Sequence, residues 1–135
     1  LESGELLNNH YTISTDNGKT FSEPKDTGIK GQASSILHIG GNKILAFYSL
    51  RRDCEKPGIL CCLVDLTDGK WNILEQKLIW SPNVPIVKDN NMAAVFGLLK
   101  FGQPSGILLK NGKILMTHWA YDNGQYKTYC SLIEL

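Results

Sequence analysis

The sequence feature that most constrains the fold is an internal repeat of about 70 residues. Residues 31–37 resemble residues 102–108, residues 42–45 resemble residues 112–115, and residues 62–66 resemble residues 131–135. The three matches occur in the same order, and the offset between the copies drifts by only two residues. Such a series indicates two copies of one supersecondary unit, with chance similarity between two β-rich segments as the alternative.

Each copy consists of short apolar runs separated by turn residues, which is typical of an all-β chain. The predicted strands cover residues 11–14, 35–39, 43–49, 58–66, 71–80, 106–109, 113–121 and 125–135. Residues 44–48 and 59–64 are apolar at nearly every position, so both faces of their sheet should be covered. About four strands in each copy suit a blade of a β-propeller.

Two segments bear on how these strands are connected. Asn111-Gly112 is a strong hairpin signal and predicts a turn with positive φ at both positions, and residues 40–42 occupy the equivalent place in the first copy. Residues 89–99 are the one segment that resembles a helix, with Asp89 as its cap. A loop crossing between sheets fits this segment equally well.

Composition excludes several classes of protein. With 135 residues, 42% hydrophobic and 20% charged, the chain should fold as one domain. The net charge is only +1, and the Lys and Arg residues are scattered along the chain. Both observations argue against nucleic acid or an anionic membrane as a partner. No apolar run approaches the roughly 20 residues that span a bilayer. Residues 1–5 carry no secretory signal, so the sequence leaves the compartment open.

The cysteines give no sign of a metal site or cofactor. None of Cys54, Cys61, Cys62 and Cys130 has the spacing of a zinc ligand set. Cys61 and Cys62 are neighbours in an apolar run, which favours small buried hydrophobic residues over a disulfide framework. We therefore expect neither metal nor cofactor.

Residues 14–21 follow the pattern Ser-x-Asp-x-Gly-x-x-aromatic. The Asp16 carboxylate should accept backbone N–H groups in a turn, Gly18 should adopt a left-handed conformation, and Phe21 should insert the hairpin into the core. A partial second copy, residues 65–71, keeps the Asp-Gly pair and an aromatic residue but lacks the Ser and is one residue shorter. Both copies predict tight turns at equivalent places in the repeat.

The pattern of Ser14, Asp16, Gly18 and Phe21 resembles the Asp box, the bacterial neuraminidase repeat of sialidases and related propellers. Residues 43–52 and 56–59 followed by Trp71, and residues 103–105 followed by 111–115, also resemble the succession of strands in that family. The resemblance covers residues 11–135. It implies that the box is a structural fastener between the third and fourth strands of a blade, without a catalytic role.

The resemblance implies an all-β, sialidase-like β-propeller portion with about two to three antiparallel four-stranded blades of a six-bladed ring. Residues 1–28 would end one blade, residues 29–80 would form a complete blade, and residues 81–135 would form a linker and the first three strands of the next. We expect a carboxyl-terminal fragment, a truncated reading frame or a subunit that closes a ring by self-association. Open blades would make the isolated chain marginal or prone to associate. The family resemblance suggests a secreted or periplasmic protein.

Antiparallel strands sort the turns to two ends of the sheets. Residues 16–20, 40–42, 68–69 and 111–112 should share one end, and residues 30–32, 51–57, 85–103 and 121–125 the other. Sialidases use three arginines at the second end to hold a substrate carboxylate, together with a Tyr nucleophile, a Glu and an Asp acid/base. A guanidinium suits this task because its planar fork binds a carboxylate at two points.

Arg51 and Arg52, the only arginines, are the predicted carboxylate contacts, with solvated ion pairs to Asp53 and Glu55 as the alternative. Tyr121 could stack on a sugar, act as a nucleophile or be an edge-strand aromatic. Gln32 and Gln103 occupy the same place in each copy and could bind hydroxyl groups or cap the backbone.

The catalytic residues stay unassigned. His118 and Trp119 alternate on one strand, so one of them should face the neighbouring blade.

Three functions fit these observations. The first is a fragment of a sialidase-like glycoside hydrolase that acts on terminal sugars of glycoconjugates and is inactive as the isolated chain, because a third of a ring cannot assemble the site. The second is a non-catalytic carbohydrate-binding or protein-interaction propeller. The third is a structural fragment without independent function. The expected partner is a carbohydrate, with no nucleic acid and no membrane.

Overall fold

The computed structural model describes residues 7–51, 54–83 and 100–135. Within these ranges the chain forms nine strands and one short 3₁₀ turn at Thr67–Gly69. The strands are β1 His10–Tyr11, β2 Lys25–Asp26, β3 Ser34–Gly40, β4 Lys43–Leu50, β5 Gly58–Asp65, β6 Asn72–Trp80, β7 Phe101–Leu108, β8 Ile114–Asp122 and β9 Gln125–Ile133. The all-β prediction is confirmed for the described residues.

The strands form three antiparallel sheets in which consecutive strands are neighbours. The first sheet is β1-β2, the second is β3-β4-β5-β6 and the third is β7-β8-β9. The internal repeat places β7, β8 and β9 in the positions of β3, β4 and β5. The register agrees with this equivalence, since Ala46 pairs with Cys62 in the second sheet and Met116 pairs with Ser131 in the third.

The second and third sheets pack face to face around one core. Leu45 and Phe47 on β4 lie against Phe101 on β7 and against Ile114 and Met116 on β8. Gly106 permits this approach, because a Cβ there would lie 2.7 Å from Cε2 of Phe47. Burying each such large side chain stabilises the fold by about 1.5–3 kcal/mol.

The opposite face of β4 and β5 forms a second core. Ile44, Ala46 and Tyr48 pack there with Cys62 and Val64. The partly buried residues that cover this face are Ile29, Leu50, Leu66, Trp71, Ile73 and Leu78. β4 and β5 are therefore buried on both faces, as their continuous apolar sequences predict.

The hairpin prediction at Asn111-Gly112 needs correction. Gly112 has a φ of +81°, but Asn111 is not among the residues with positive φ. The Gly112 N–H donates to the Leu109 carbonyl at 3.0 Å, which closes a turn over residues 109–112 with Gly112 as its left-handed last residue. A two-residue hairpin turn with positive φ at both positions is found instead at Asn123-Gly124, between the paired residues Asp122 and Gln125.

The strand boundaries differ from prediction in three places. The predicted strand 106–109 begins earlier, at Phe101, because β7 continues through a bulge between Gly102 and Ser105, and residues 101–103 therefore belong to a strand although residues 85–103 were predicted to be a loop. The predicted strand 11–14 is shorter, since only His10 and Tyr11 pair. Their partner β2 was not predicted.

The segment 89–99, predicted as helix or loop, lies outside the described residues. The described ranges contain no helix that is long and apolar enough to cross a bilayer.

Candidate functional site

The turn at residues 14–20 is built around the Asp16 carboxylate. Its Oδ1 accepts the backbone N–H groups of Lys19 at 3.0 Å and Thr20 at 2.9 Å, and its Oδ2 accepts the Thr20 hydroxyl at 2.7 Å. Ser14 Oγ donates to Oδ1 and accepts the Gly18 N–H at 2.7 Å. These bonds, led by those from Thr20, lower the pKa of Asp16 to about 2. The predicted roles of Asp16 and Gly18 are confirmed, with Gly18 at φ +82°.

The partial copy keeps the same backbone with a different carboxylate. Asn17 and Gly18 have φ values of +60° and +82°, and Asp68 and Gly69 have +58° and +64°. The carboxylate that accepts the hydrogen bonds is Asp65, which takes both the N–H and the hydroxyl of Thr67. These bonds, the hydroxyl bond foremost, lower the pKa of Asp65. In both copies the Asn-Gly or Asp-Gly pair therefore predicts the turn, whereas the position of the carboxylate that accepts the hydrogen bonds differs.

The prediction that Phe21 inserts into the core is wrong, because its side chain is 63% exposed. The face of this segment that meets the second sheet carries Tyr11 instead. The Tyr11 ring lies 5.1 Å from the Trp71 ring, and its hydroxyl donates to the Gly69 carbonyl at 3.2 Å. The same hydroxyl accepts the backbone N–H of Trp71 at 3.1 Å. Tyr11 thus anchors the short first sheet to the second sheet, and Phe21 is exposed to solvent.

The Asp-box turn and Arg51 lie at opposite ends of the second sheet. Near one end, Asn9 Oδ1 accepts the Gly31 N–H at 2.7 Å. Near the other end, the Tyr11 hydroxyl donates to the Gly69 carbonyl. The chain from Asn9 to Tyr11, which leads into the Asp box, therefore runs from the Gly31 end toward the Gly69 end. Arg51 follows the last residue of β4 at the Gly31 end. The eight residues of β4 separate the two ends by about 23 Å. We call them the Asp-box end and the Arg51 end.

Three sequence-predicted elements meet at the Arg51 end. The Gln32 side-chain oxygen accepts the Arg51 backbone N–H at 2.6 Å, which gives Gln32 the predicted role of a backbone cap. The Arg51 guanidinium packs against Gly102, where a Cβ would lie 1.8 Å from Nη2. Its Cζ lies 6.0 Å from the centre of the Phe101 ring. Arg51 therefore contacts both copies of the repeat, and Gly102 has to be glycine at a φ of +157°.

The other predicted site residues have different surroundings. Gln103 belongs to the β7 bulge, not to the predicted loop, and its side chain is exposed. Tyr121 lies within β8, which pairs on both edges, so it is not an edge-strand residue. Its N–H donates to the Lys100 carbonyl at 2.6 Å, and Lys100 Nζ lies 4.5 Å from its ring centre. Arg52 lies outside the described residues.

The sequence did not single out a polar cluster on the hairpin between β8 and β9. Asp122 Oδ2 accepts hydrogen bonds from Lys127 Nζ and from the Tyr129 hydroxyl, each at 3.0 Å. The bond from Lys127 is the main cause that lowers the pKa of Asp122, and the bond to Asp122 raises the pKa of Tyr129. Tyr129 is thus a neutral phenol whose O–H donates to a carboxylate. The sequence signal that could have pointed to this cluster is the acidic residue Asp122 next to the two-residue turn Asn123-Gly124.

His118 is the residue of its pair that faces the neighbouring sheet. It is 2% exposed, and neither ring nitrogen has a hydrogen-bond partner among the described residues. Its ring centre lies 4.5 Å from Trp80 and 5.5 Å from Tyr129, to which it stacks nearly parallel. Burial lowers the pKa of His118, so the ring is neutral. It packs in the core and is not accessible to a ligand.

The thiols of Cys61 and Cys62 are also part of the core, as predicted. Burial raises the pKa of Cys61 to about 12 and that of Cys62 to about 11, so both stay protonated. Within the described ranges, no three His, Cys, Asp or Glu side chains come together as a metal site.

Comparison with known proteins adds no relative: no protein-family model, no curated protein sequence and no solved structure matches the chain.

Proposed function

We propose that the chain is a portion of a sialidase-like β-propeller whose Arg51 end contacts the carboxylate of an acidic terminal sugar. The observation that carries this proposal is the meeting of Gln32 and Arg51 from the first copy with Gly102 from the second, at the end opposite the Asp box. Ligand sites form preferentially where several structural elements converge. In a propeller, the loops at one end of successive blades provide such a place.

The residue types at this end suit an acidic sugar. A guanidinium presents parallel donors that match both oxygens of a carboxylate. Lys100 and the partly exposed Tyr121 ring lie beside each other at the same end, on the outer face of the third sheet.

We propose binding without turnover for the isolated chain. Glycoside hydrolysis needs a nucleophile and an acid/base on opposite sides of the bond. The Tyr129 hydroxyl donates to Asp122, and this pair supplies at most a nucleophile with its base, so an acid/base on the other side of the bond is still needed. A hydrolase site would therefore require residues from further blades. Hydrolysis of a fluorogenic sialoside by the purified chain would contradict this proposal.

A titration followed by NMR tests the sugar proposal directly. A methyl α-sialoside should shift the amide resonances of Gln32, Arg51 and Lys100, whereas a neutral methyl galactoside should not. Arg51→Lys keeps the charge but loses the planar fork, and should weaken the sialoside affinity about tenfold.

The matched control is Lys19→Gln, which removes a cation at the Asp-box end and should leave the affinity unchanged. A thermal melt of each variant establishes that the fold is intact. Equal shifts with both sugars, or no shifts in a folded chain, would overturn the proposal.

One observation favours the alternative of a protein-interaction propeller. The outer face of the third sheet exposes Ile107 by 56%, Tyr126 by 72% and Leu132 by 55%. Exposed apolar groups that share one face are typical of interaction surfaces. If the sugar titration fails, this alternative becomes the better account of the fold.

A further inference from the structure

The two copies of the repeat differ at one edge. In the second sheet, β5 pairs with β4 on one side and with β6 on the other. In the third sheet, the equivalent strand β9 pairs with β8, and its other edge meets no strand among the described residues. A strand edge of this kind presents a row of N–H and C=O groups to which another strand can pair.

A groove of about 550 Å³ runs beside this edge of β9. One wall is formed by β6, including Lys77 and Ile79, and the other by the end of β9, including Ser131 and Ile133. Its floor includes Leu45, Cys61 and Leu63. Leu45 and Cys61 belong to the face of the second sheet that the third sheet covers elsewhere. The groove therefore lies where a fourth strand of the third sheet would place its inward side chains.

The second sheet indicates how such a strand would pair. Ile73 of β6 lies opposite Val64, and Leu78 lies opposite Leu60, with a bulge between these pairs. The side chains of Ile73 and Leu78 both pack on the second core, on the same face of the sheet as Val64 and Leu60. The repeat places Ile133 in the position of Val64 and Tyr129 in the position of Leu60. A strand on β9 in the same register would place the equivalent of Ile73 beside Ile133 in the groove and the equivalent of Leu78 beside Tyr129 at its end.

We propose that the outer edge of β9 and this groove bind an extended peptide segment of another polypeptide by antiparallel strand addition. The segment carries two large apolar residues at the spacing of Ile73 and Leu78. Backbone hydrogen bonds to β9 supply affinity, and the groove selects the side chains. The lining charges are mixed, with Glu75, Lys77 and Glu134, so apolar contacts and pairing dominate over net charge. This proposal is independent of the sugar proposal.

The probe is a fluorescein-labelled synthetic peptide with the sequence of residues 71–81, added to the intact chain. We expect a saturable rise in fluorescence anisotropy. Peptides with Ile73→Asp or Leu78→Asp should bind about tenfold more weakly or worse, since the new carboxylate would lie against an apolar side chain, Ile133 in the first peptide and the Tyr129 ring in the second. A peptide with Lys77→Gln should bind like the parent.

Two variants of the chain test the location. Ser131 faces the groove, and Ser131→Lys should weaken peptide binding about tenfold because it places a charge on the wall. Thr128→Lys places the same charge on an exposed residue of the same strand and should have little effect. Hydrogen exchange adds a readout of pairing, since bound peptide should slow exchange of the β9 amides that point away from β8.

Three results would overturn the proposal. One is the absence of peptide binding to a chain that NMR shows to be folded. Another is binding that weakens equally in Ser131→Lys and Thr128→Lys, or that leaves the β9 amides unprotected. The third is concentration-dependent dimerisation without peptide, measured by sedimentation and abolished by Ser131→Lys, which would make a second copy of the chain the occupant.

Discussion

His118 is a buried base in a place that does not accommodate its charge. Both ring nitrogens lack a hydrogen-bond partner among the described residues, and burial holds the pKa of His118 below its ordinary value of 6.5. The unfolded chain therefore binds a proton at higher pH than the folded chain. We expect full stability above about pH 6.5 and a progressive loss as the pH falls from there toward the lower folded pKa.

His118→Phe tests this expectation. A phenyl ring can occupy the space between Trp80 and Tyr129 without a polar atom to bury. We expect it to stabilise the chain by about 1 kcal/mol at neutral pH and to remove the loss below about pH 6.5. Thermal melts across this pH range provide the measurement, with exposed His10→Gln as the control. An unchanged pH dependence in His118→Phe would contradict the argument.

Residues that act locally were predictable, and residues that act through tertiary contacts were not. Asp16 accepts bonds from residues three and four positions along the chain, so its role follows from the local motif. Phe21 depends on what lies over the turn, and the sequence gives no information about that. Alternation shows that either His118 or Trp119 faces inward but does not distinguish them.

The Asp-box turn is an element held by one carboxylate, so it should open when that carboxylate is lost. Asp16→Ala removes the acceptor for the N–H groups of Lys19 and Thr20. We expect faster hydrogen exchange at both amides, with the second and third sheets unaffected. Glu23→Gln is the control, since it removes a nearby exposed carboxylate outside the turn. Unchanged exchange at Lys19 and Thr20 would contradict this account of the turn.

Acid should reproduce the effect of that substitution. The pKa of Asp16 is about 2 in the folded chain, against an ordinary value of 3.8. The bonds to the carboxylate therefore stabilise the turn above about pH 3.8, and this contribution is lost as the pH falls through about 2. An NMR titration of the Asp16 carboxyl carbon measures the folded pKa. A midpoint near 3.8 would contradict the hydrogen-bonding pattern.

Gly18→Ala probes the backbone of the same turn. Nothing lies within 4 Å of the added Cβ, so the cost comes from the φ of +82° alone. That conformation costs an alanine about 1–2 kcal/mol. We expect local opening of the turn like that in Asp16→Ala, measured at the same amides. Gly31→Ala, where φ is not positive but Tyr48 lies 2.7 Å from the new Cβ, should instead act through the core.

At the scale of strands, hydrophobic pattern predicted β3 to β6, β8 and β9 closely. The errors occur where backbone irregularity replaces pattern. The β7 bulge allows Gly102, Gln103 and Pro104 to lie in a strand, although these residue types ordinarily mark a loop. At Asn111-Gly112 the sequence indicated a turn correctly, but the number of residues in the loop determined its type.

At the scale of the molecule, the repeat predicted that similar sheets would recur, and continuous apolar strands predicted cover on both faces. The sequence could not predict which faces meet. That choice depends on close approach at Gly106 and Gly102, where Phe47 and Arg51 of the second sheet contact the third. Arg51 and Gln32 were predicted to share one end with the second copy, whereas the direct packing of the guanidinium on Gly102 had no sequence signal.

The packing of the second and third sheets predicts that they unfold together. Phe47 is fully buried between them, and Phe47→Ala should destabilise the chain by about 3–5 kcal/mol, while Ile36→Ala on the exposed side of β3 should change little. Trp71, Trp80 and Trp119 report on the second sheet, the interface and the third sheet. With 5-fluorotryptophan in the chain, all three ¹⁹F signals should disappear at one urea midpoint, and Phe47→Ala should lower that midpoint for all three. If Trp119 changes at lower urea than Trp71, the third sheet unfolds on its own and the shared core does not couple them.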